Sequence, residues 1–167
     1  RGAAHVQRGD FQRGHDLAKR GNDFWTASGG RICTAMFRSW IARGLQGLGR
    51  IEEAAALNAT NIAHCRRTGD RFMEPECLRL QGELALLGAA PDPAAAEQLF
   101  HEALSIAAGH GARSWELRAA MSLARLLQTQ DRRKEGIAIL APVLEYFEEG
   151  MYTTDCVTAS TLLASLD

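Results

Sequence analysis

An internal repeat of about 40 residues is the feature that most constrains how this chain can fold. A short motif recurs in which a turn-type residue is followed, five places on, by a small residue. The motif begins at Gly9, Gly49, Pro91 and Asp131, and the successive spacings are 40, 42 and 40 residues. Self-similarity at a fixed period of about 20–50 residues indicates stacked structural units rather than one irregular core. The chain is therefore predicted to be an array of similar units.

A second series of glycines divides each unit in two. Gly29, Gly69 and Gly111 each lie twenty residues after a turn of the first series, and Gly150 lies one place early. Glycine is favoured just past the C-terminus of a helix, where the backbone turns left-handed. Each period is therefore predicted to hold two helices joined by short connections, and short connections make neighbouring helices antiparallel.

The composition agrees with an all-helical chain. Val and Ile together number 10, against 28 Ala, and β-branched residues are those that favour strands. A third register of small residues, Ala42, Gly82 and Ala124, has spacings of 40 and 42 residues and predicts places where one helix passes close to its partner. Pro75 and Pro93 fall in predicted first turns of helices, as proline prefers, whereas Pro142 lies inside a helix and predicts a kink.

We predict an all-α fold, an α-solenoid of antiparallel helix pairs with a period of 40–42 residues and a C-terminal capping helix. All 167 residues form one domain in this prediction. The predicted units are 1–29, 30–69, 70–111 and 112–150, with the capping helix in 151–167. The predicted helices are 10–27, 31–47, 50–67, 72–88, 92–109, 113–129, 132–148 and one near 154–166.

The second helix of a unit has the pattern small, aromatic or leucine, small, as in Ala96-x3-Phe100-x2-Ala103. This pattern resembles the tetratricopeptide repeat, although that repeat has a shorter period of about 34 residues. The second unit departs from it, because Asn58 and Asn61 stand where an aromatic and a small residue are preferred. Buried amides need partners, so either they pair across helices or this unit is rotated locally. Since Gly44 and Gly47 also lie within one predicted helix, we expect the second unit to be the softest.

A longer stretch, GARSWELRAAMSLARL at 111–126, is more specific. With RLQGEL at 79–84 and AILAPV at 138–143, it resembles the C-terminal repeats of bacterial signalling proteins in which a class III adenylate or guanylate cyclase domain precedes an NTPase domain. The resemblance covers residues 9–167 and is strongest over 74–150. It implies a fragment of a longer polypeptide, whose partners include other domains of the same chain. No cyclase or NTPase motif lies in these 167 residues.

Composition and spacing argue against several classes of function. A net charge of −1 disfavours nucleic-acid binding, and no apolar run is long enough to cross a bilayer. The five histidines and four cysteines lack metal-ligand spacing, and the cysteines suggest reduced thiols of a cytoplasmic protein, mostly filling the core. No constellation for catalysis is present, so the chain is predicted to be neither an enzyme nor a holder of a metal or cofactor.

The repeat register predicts a binding groove. In tetratricopeptide-like arrays the first helix of each pair lines the concave face, and the small-residue register then directs seven side chains into it: Ser39, Arg43, Arg79, Glu83, Arg118, Met121 and Arg125. The four arginines could hold carboxylates of a peptide terminus or of acidic side chains. The alternative is that these arginines are solvated or paired with Glu76 and Glu83.

The leading prediction is that this module binds a protein or peptide, which could be acidic. The module would belong to a signalling protein and would regulate or position its catalytic domains. The second is a small-molecule sensor whose groove closes on a ligand. Residues 1–71 carry +6 and residues 72–167 carry −7, an asymmetry that could steer a partner or draw neighbouring molecules together. Residues 10–27 are expected to expose apolar side chains such as Phe11 and Leu17, so a homodimer through the open N-terminal end is a further expectation.

Overall fold

A computed structural model describes residues 1–166, and this part of the chain is helical with no strand. The helices are α1 (Gly2–Gln7), α2 (Phe11–Ala27), α3 (Thr34–Gly47), α4 (Ile51–Thr68), α5 (Glu74–Leu87), α6 (Pro93–Gly109), α7 (Arg113–Thr129), α8 (Arg133–Glu145) and α9 (Thr154–Leu166). The predicted all-α solenoid is confirmed.

The helix ends follow the repeated turn residues. The two glycine series adopt the left-handed backbone, with φ of 81° at Gly9, 82° at Gly29, 74° at Gly49, 72° at Gly69, 65° at Gly111 and 75° at Gly150. Asp131 takes the same conformation with φ of 59°, whereas Pro91 cannot, and the α5–α6 turn is closed differently. There Asp92 caps α6 by accepting a hydrogen bond from the backbone N–H of Ala95 at 2.9 Å.

The helices form two layers. Helices α1, α3, α5, α7 and α9 pack side by side as an inner layer, and α2, α4, α6 and α8 lie outside them, each against its chain neighbours. Apolar side chains fill the space between the layers along the whole stack, with Leu80, Phe100, Leu123 and Leu140 fully buried. Helix α9 contacts both α7 and α8, so it extends the inner layer by one helix.

Small residues allow close helix contacts, and Gly82 of the predicted small-residue register is one of them. A Cβ atom added to Gly82 would lie 2.5 Å from the ring of Phe100, and one added to Gly47 would lie 2.2 Å from the ring of Phe11. A Cβ at Gly44 would lie 2.9 Å from that of His15. The two glycines inside α3 therefore let α2 pack closely, which offsets their low helix propensity.

The two asparagines of the second unit pair across helices, the first of the two alternatives. The Nδ2 of Asn58 donates to the backbone oxygen of Cys77 at 2.7 Å and to Gln81 at 2.9 Å. The Nδ2 of Asn61 donates to the backbone oxygen of Ala35 at 2.9 Å. Both amides are fully buried, and they join α4 to α5 and to α3.

Three local expectations are wrong. Helix α8 ends at Glu145 rather than at 148, and its last turn closes with a hydrogen bond from the backbone N–H of Phe147 to the oxygen of Leu144 at 3.0 Å. Cys33 lies outside a helix, because α3 begins at Thr34 rather than at 31; three of the four cysteines are buried, which agrees with the expectation that most of them fill the core. Phe11 is only partly exposed because its ring packs against Gly47, and Leu17 is also partly buried.

Candidate functional site

The inner layer encloses a groove of about 590 Å³. Helices α1, α3, α5, α7 and α9 all contribute to its lining. Six of the seven predicted groove residues line it: Arg43, Arg79, Glu83, Arg118, Met121 and Arg125. Ser39 does not, because its buried hydroxyl donates to the backbone oxygen of Met36 at 2.8 Å. The repeat register thus brings side chains from three separate units into one concavity.

Arg79 lies at the floor of the groove and is not available to a partner. It is 4% exposed, and its guanidinium binds the carboxylate of Glu76 in a two-pronged contact, Nε to Oε2 at 2.7 Å and Nη2 to Oε1 at 2.9 Å. Its Nη1 donates to Glu83 and, at 3.1 Å, to the hydroxyl of Ser122 on α7. Arg79 is therefore paired with Glu76 and Glu83, which was the alternative prediction. The prediction that Arg79 is exposed in the groove and binds a partner is wrong.

Glu76 is the acidic centre of this floor. It is 4% exposed, and Arg43 and Arg118 approach it to 3.5 Å and 3.8 Å from α3 and α7. Burial opposes its ionisation, but the charge and hydrogen bonds of Arg79, aided by the two other arginines, hold its pKa below the ordinary value. Burial and the positive charge of Arg79 lower the pKa of Arg43. We name Glu76, Arg79, Glu83, Arg43 and Arg118 the floor network.

Helix α9 closes one end of the groove through an ion pair that sequence reasoning missed. The Nε of Arg118 donates to Oδ2 of Asp155 at 2.7 Å. Asp155 stands in the first turn of α9, beyond the last full repeat, so the register gave no signal for it. The groove also takes Val6 and Phe11 from the N-terminal end, which the register did not reach either.

Arg125 differs from the other three arginines of the groove. It is exposed, and no carboxylate among residues 1–166 lies within 4 Å of it. Its neighbour one turn earlier, Met121, is 4% exposed and packs in the core between the layers. Arg125, on α7, is thus the groove arginine that has no carboxylate partner among residues 1–166.

An apolar cleft of about 500 Å³ adjoins the groove. Leu86, Pro93, Phe100 and Leu126 line it together with Glu83 and Arg125, which also line the groove. An apolar recess therefore opens beside the unpaired guanidinium, and the two cavities share a charged border.

Within residues 1–166, no cluster of three or more His, Cys, Asp or Glu side chains could hold a metal ion. None of the helices in that span is long and apolar enough to cross a membrane. Chemically, the groove offers ion pairing and apolar contact.

No family model and no curated protein matches the chain, but solved structures do. The chain is similar to a putative kinesin light chain of Podosopora anserina with nearly identical TPR-like repeats, with 18% identity and a TM-score of 0.68. A single-substitution variant of that protein matches with 16% identity and a TM-score of 0.70. Each match covers 99% of this chain and 81% of the other. The fold is therefore that of a TPR-like repeat array.

Proposed function

We propose that this chain is a non-catalytic recognition module whose groove binds a peptide segment of a protein partner through an acidic group. The observation that carries the proposal is Arg125. Three of the four groove arginines are held by Glu76, Glu83 or Asp155, whereas Arg125 faces the groove without a carboxylate partner in the described chain. A guanidinium matches the geometry of a carboxylate and can bind it through two parallel hydrogen bonds.

The floor network gives the groove its rigidity. Because the guanidinium of Arg79 binds acceptors on α5 and on α7, these two helices keep their spacing without a ligand. A preformed groove loses less conformational entropy on binding than a mobile one. The floor residues therefore position the wall, and Arg125 with the adjoining cleft makes the contact.

The test uses an immobilised library of synthetic peptides of graded net charge, probed with the 167-residue chain. We expect acidic peptides to bind, and binding to weaken steeply as salt rises, because exposed charges are screened within roughly 8–10 Å. Arg125→Glu is expected to lower binding to the best peptide by at least about tenfold, the loss of one charged contact.

The matched control is Arg133→Glu, which makes the same charge change at an exposed position of α8 outside the groove. It should bind the same peptides as the unchanged chain does. Equal binding by the Arg125→Glu variant, with its helix content intact, would refute recognition through the groove.

The apolar cleft supports a second candidate, a sensor of small molecules. Its volume lies within the roughly 300–1,000 Å³ of ordinary ligand pockets, and Arg125 would orient a carboxylate at its mouth. A thermal-shift screen of small hydrophobic carboxylic acids tests this candidate. A stabilisation that Leu126→Ser abolishes would favour the sensor, and no shift with any of the acids would exclude this ligand class.

We further place the module in a bacterial signalling protein, where it regulates or positions cyclase or NTPase domains. The support is the resemblance of residues 74–150 to the repeats that follow such domains. Reading the coding sequence upstream of Arg1 tests it. Cyclase or NTPase motifs there would support the placement, and an unrelated domain would overturn it.

A further inference from the structure

A second surface lies away from the groove, at the edge where α2 meets α3 and α4 meets α5. A cavity of about 780 Å³ opens there, with Met36 and Met73 among its apolar lining. Ile32 and Phe72 also line it and are 77% and 65% exposed. Large apolar side chains exposed beside a recess indicate an interaction site.

The rim of this cavity is basic. Arg31 and Arg38 line it, Arg67 contacts the lining residue His64 at 3.4 Å, and Arg71 directly precedes the lining residue Phe72 in the chain. No carboxylate in residues 1–166 lies within 4 Å of any of these four arginines, although Asp70 is also in the lining. Burial, and then repulsion from Arg38 and Arg67, lower the pKa of His64. We call Ile32, Phe72 and the four arginines the basic patch.

The chain also carries the complement of this patch. The last residue of α8 and the connection that follows it, residues 145–152, read EYFEEGMY. Tyr146, Met151 and Tyr152 are 59%, 40% and 97% exposed. Its three carboxylates, at Glu145, Glu148 and Glu149, are exposed and have no ion-pair partner in the described chain. We call residues 145–152 the acidic aromatic segment.

Both surfaces lie on one edge of the solenoid. The connections α2–α3, α4–α5, α6–α7 and α8–α9 all run from the outer to the inner layer, so antiparallel packing puts them at the same end of the helices. Phe72 packs edge-to-face on Trp115 with ring centroids 5.9 Å apart, and Arg113 lies 3.9 Å above the ring of Tyr146. Contacts of this kind bridge the connections along the edge.

We infer that the basic patch docks the acidic aromatic segment of a second copy of this chain. A two-fold axis beside the shared edge sets two copies antiparallel, so that each basic patch receives the partner's segment and the contact is made twice. Tyr152 and Met151 enter the apolar recess, and the three glutamates meet the four arginines. Residues 1–71 carry +6 and residues 72–167 carry −7, and attraction between the opposite halves of two copies also favours the antiparallel arrangement.

The test measures mass in solution by sedimentation for two charge-reversed variants. The first carries Arg31→Glu, Arg67→Glu and Arg71→Glu, and the second carries Glu145→Arg, Glu148→Arg and Glu149→Arg. All six positions are exposed, so the fold should persist. The unchanged chain is expected to dimerise at micromolar concentration and low salt, whereas each variant alone stays monomeric because like charges face each other.

An equimolar mixture of the two monomeric variants is the decisive sample. Both contacts of the mixed pair are complementary, so a heterodimer should form whose dissociation constant is within about tenfold of the unchanged dimer's. A control with Arg133→Glu and Lys134→Glu, both exposed on α8, should dimerise like the unchanged chain.

Cys33 supplies a second readout. It is exposed and lines the cavity of the basic patch, while Cys65, Cys77 and Cys156 are buried. Its modification by a neutral maleimide should slow as the concentration of the unchanged chain rises, and should stay constant for either variant alone. The inference is overturned if the unchanged chain is a monomer at all concentrations, or if the mixture of the two variants stays monomeric. Either result would mean that the basic patch does not bind this segment of a second copy.

Discussion

Replacing Arg79 by methionine probes how much the floor network contributes to the stability of the fold. The change Arg79→Met keeps most of the apolar stem but removes the guanidinium, so Glu76 remains buried with only the more distant Arg43 and Arg118. Removing one partner of a buried ion pair costs about 3–5 kcal/mol. Since two arginines stay within 4 Å of Glu76, we expect the lower end, about 3 kcal/mol.

The assay is urea and thermal unfolding followed by circular dichroism. In a domain of this size about 3 kcal/mol corresponds to a fall in Tm of roughly 6–12 °C. Arg133→Met, at an exposed position, is the control and should change the free energy of unfolding by less than about 0.5 kcal/mol. The double variant Arg79→Met, Glu76→Met removes the stranded charge and should regain most of the loss.

The pH dependence follows from the pKa of Glu76. In the unchanged chain this pKa is below the ordinary value, so the ionised carboxylate stabilises the fold above that value, and the contribution is lost as the pH falls through the folded pKa. Burial raises the pKa of Glu76 and Arg79 lowers it. Removing Arg79 therefore raises this pKa. The stability gap between the two chains should therefore narrow between pH 7 and about pH 4.

Two results would refute this reasoning. One is a loss below about 0.5 kcal/mol for Arg79→Met, which would mean that the ion pair is solvated. The other is a gap that does not change with pH, which would trace the loss to packing rather than to the charge of Glu76.

Three further substitutions test the packing of the layers, each by urea unfolding. Gly82→Ala should cost about 1–3 kcal/mol because the new methyl group meets the ring of Phe100 at 2.5 Å, whereas Gly21→Ala, in open space within α2, should stabilise by about 0.5–1 kcal/mol; equal effects would contradict the close contact. Asn58→Ala should cost about 1–3 kcal/mol, since it removes the buried amide that joins α4 to Cys77 and Gln81 of α5 and leaves a cavity, and a neutral result would mean that water replaces the amide. Trp115→Ala should cost about 1–2 kcal/mol, less than a buried tryptophan would, because the ring is only partly buried; a loss above about 3 kcal/mol would show tighter packing.

The helices were predictable from sequence because their signals are local. Glycines with a left-handed backbone recur at fixed spacing, so the helix ends could be placed within a few residues. Helix α8 ends at Glu145, where no glycine marks the end, so the sequence pattern places this end three residues too late. The exposed Cys33 shows the same limit, since a left-handed residue that is not glycine carries no mark in the sequence.

The groove was predictable in position but not in chemistry. The register directs Arg43, Arg79 and Arg125 to one face, and all three line the groove. Arg79 is held by Glu76 and Glu83 of its own helix, whereas the pairing of Arg43 depends on Glu76 of a neighbouring helix. Asp155, which holds Arg118, comes from a helix outside the repeat. The face of a helix on which a residue lies can be predicted from its spacing in the sequence. Which residues of distant segments contact each other can be seen only in the folded structure.

The floor network has a consequence for how the solenoid opens. Repeat arrays fray from their ends, because each unit contacts only its neighbours. Here Arg43 on α3, Glu76 on α5, Arg118 on α7 and Asp155 on α9 form one run of charged contacts, so none of these helices can lift away without exposing a charge of the next. Within residues 1–166, no ion pair joins α1 or α2 to α3. Amide hydrogens of α3, α5, α7 and α9 should therefore exchange with solvent as one cooperative block, while those of α1 and α2 exchange earlier and independently.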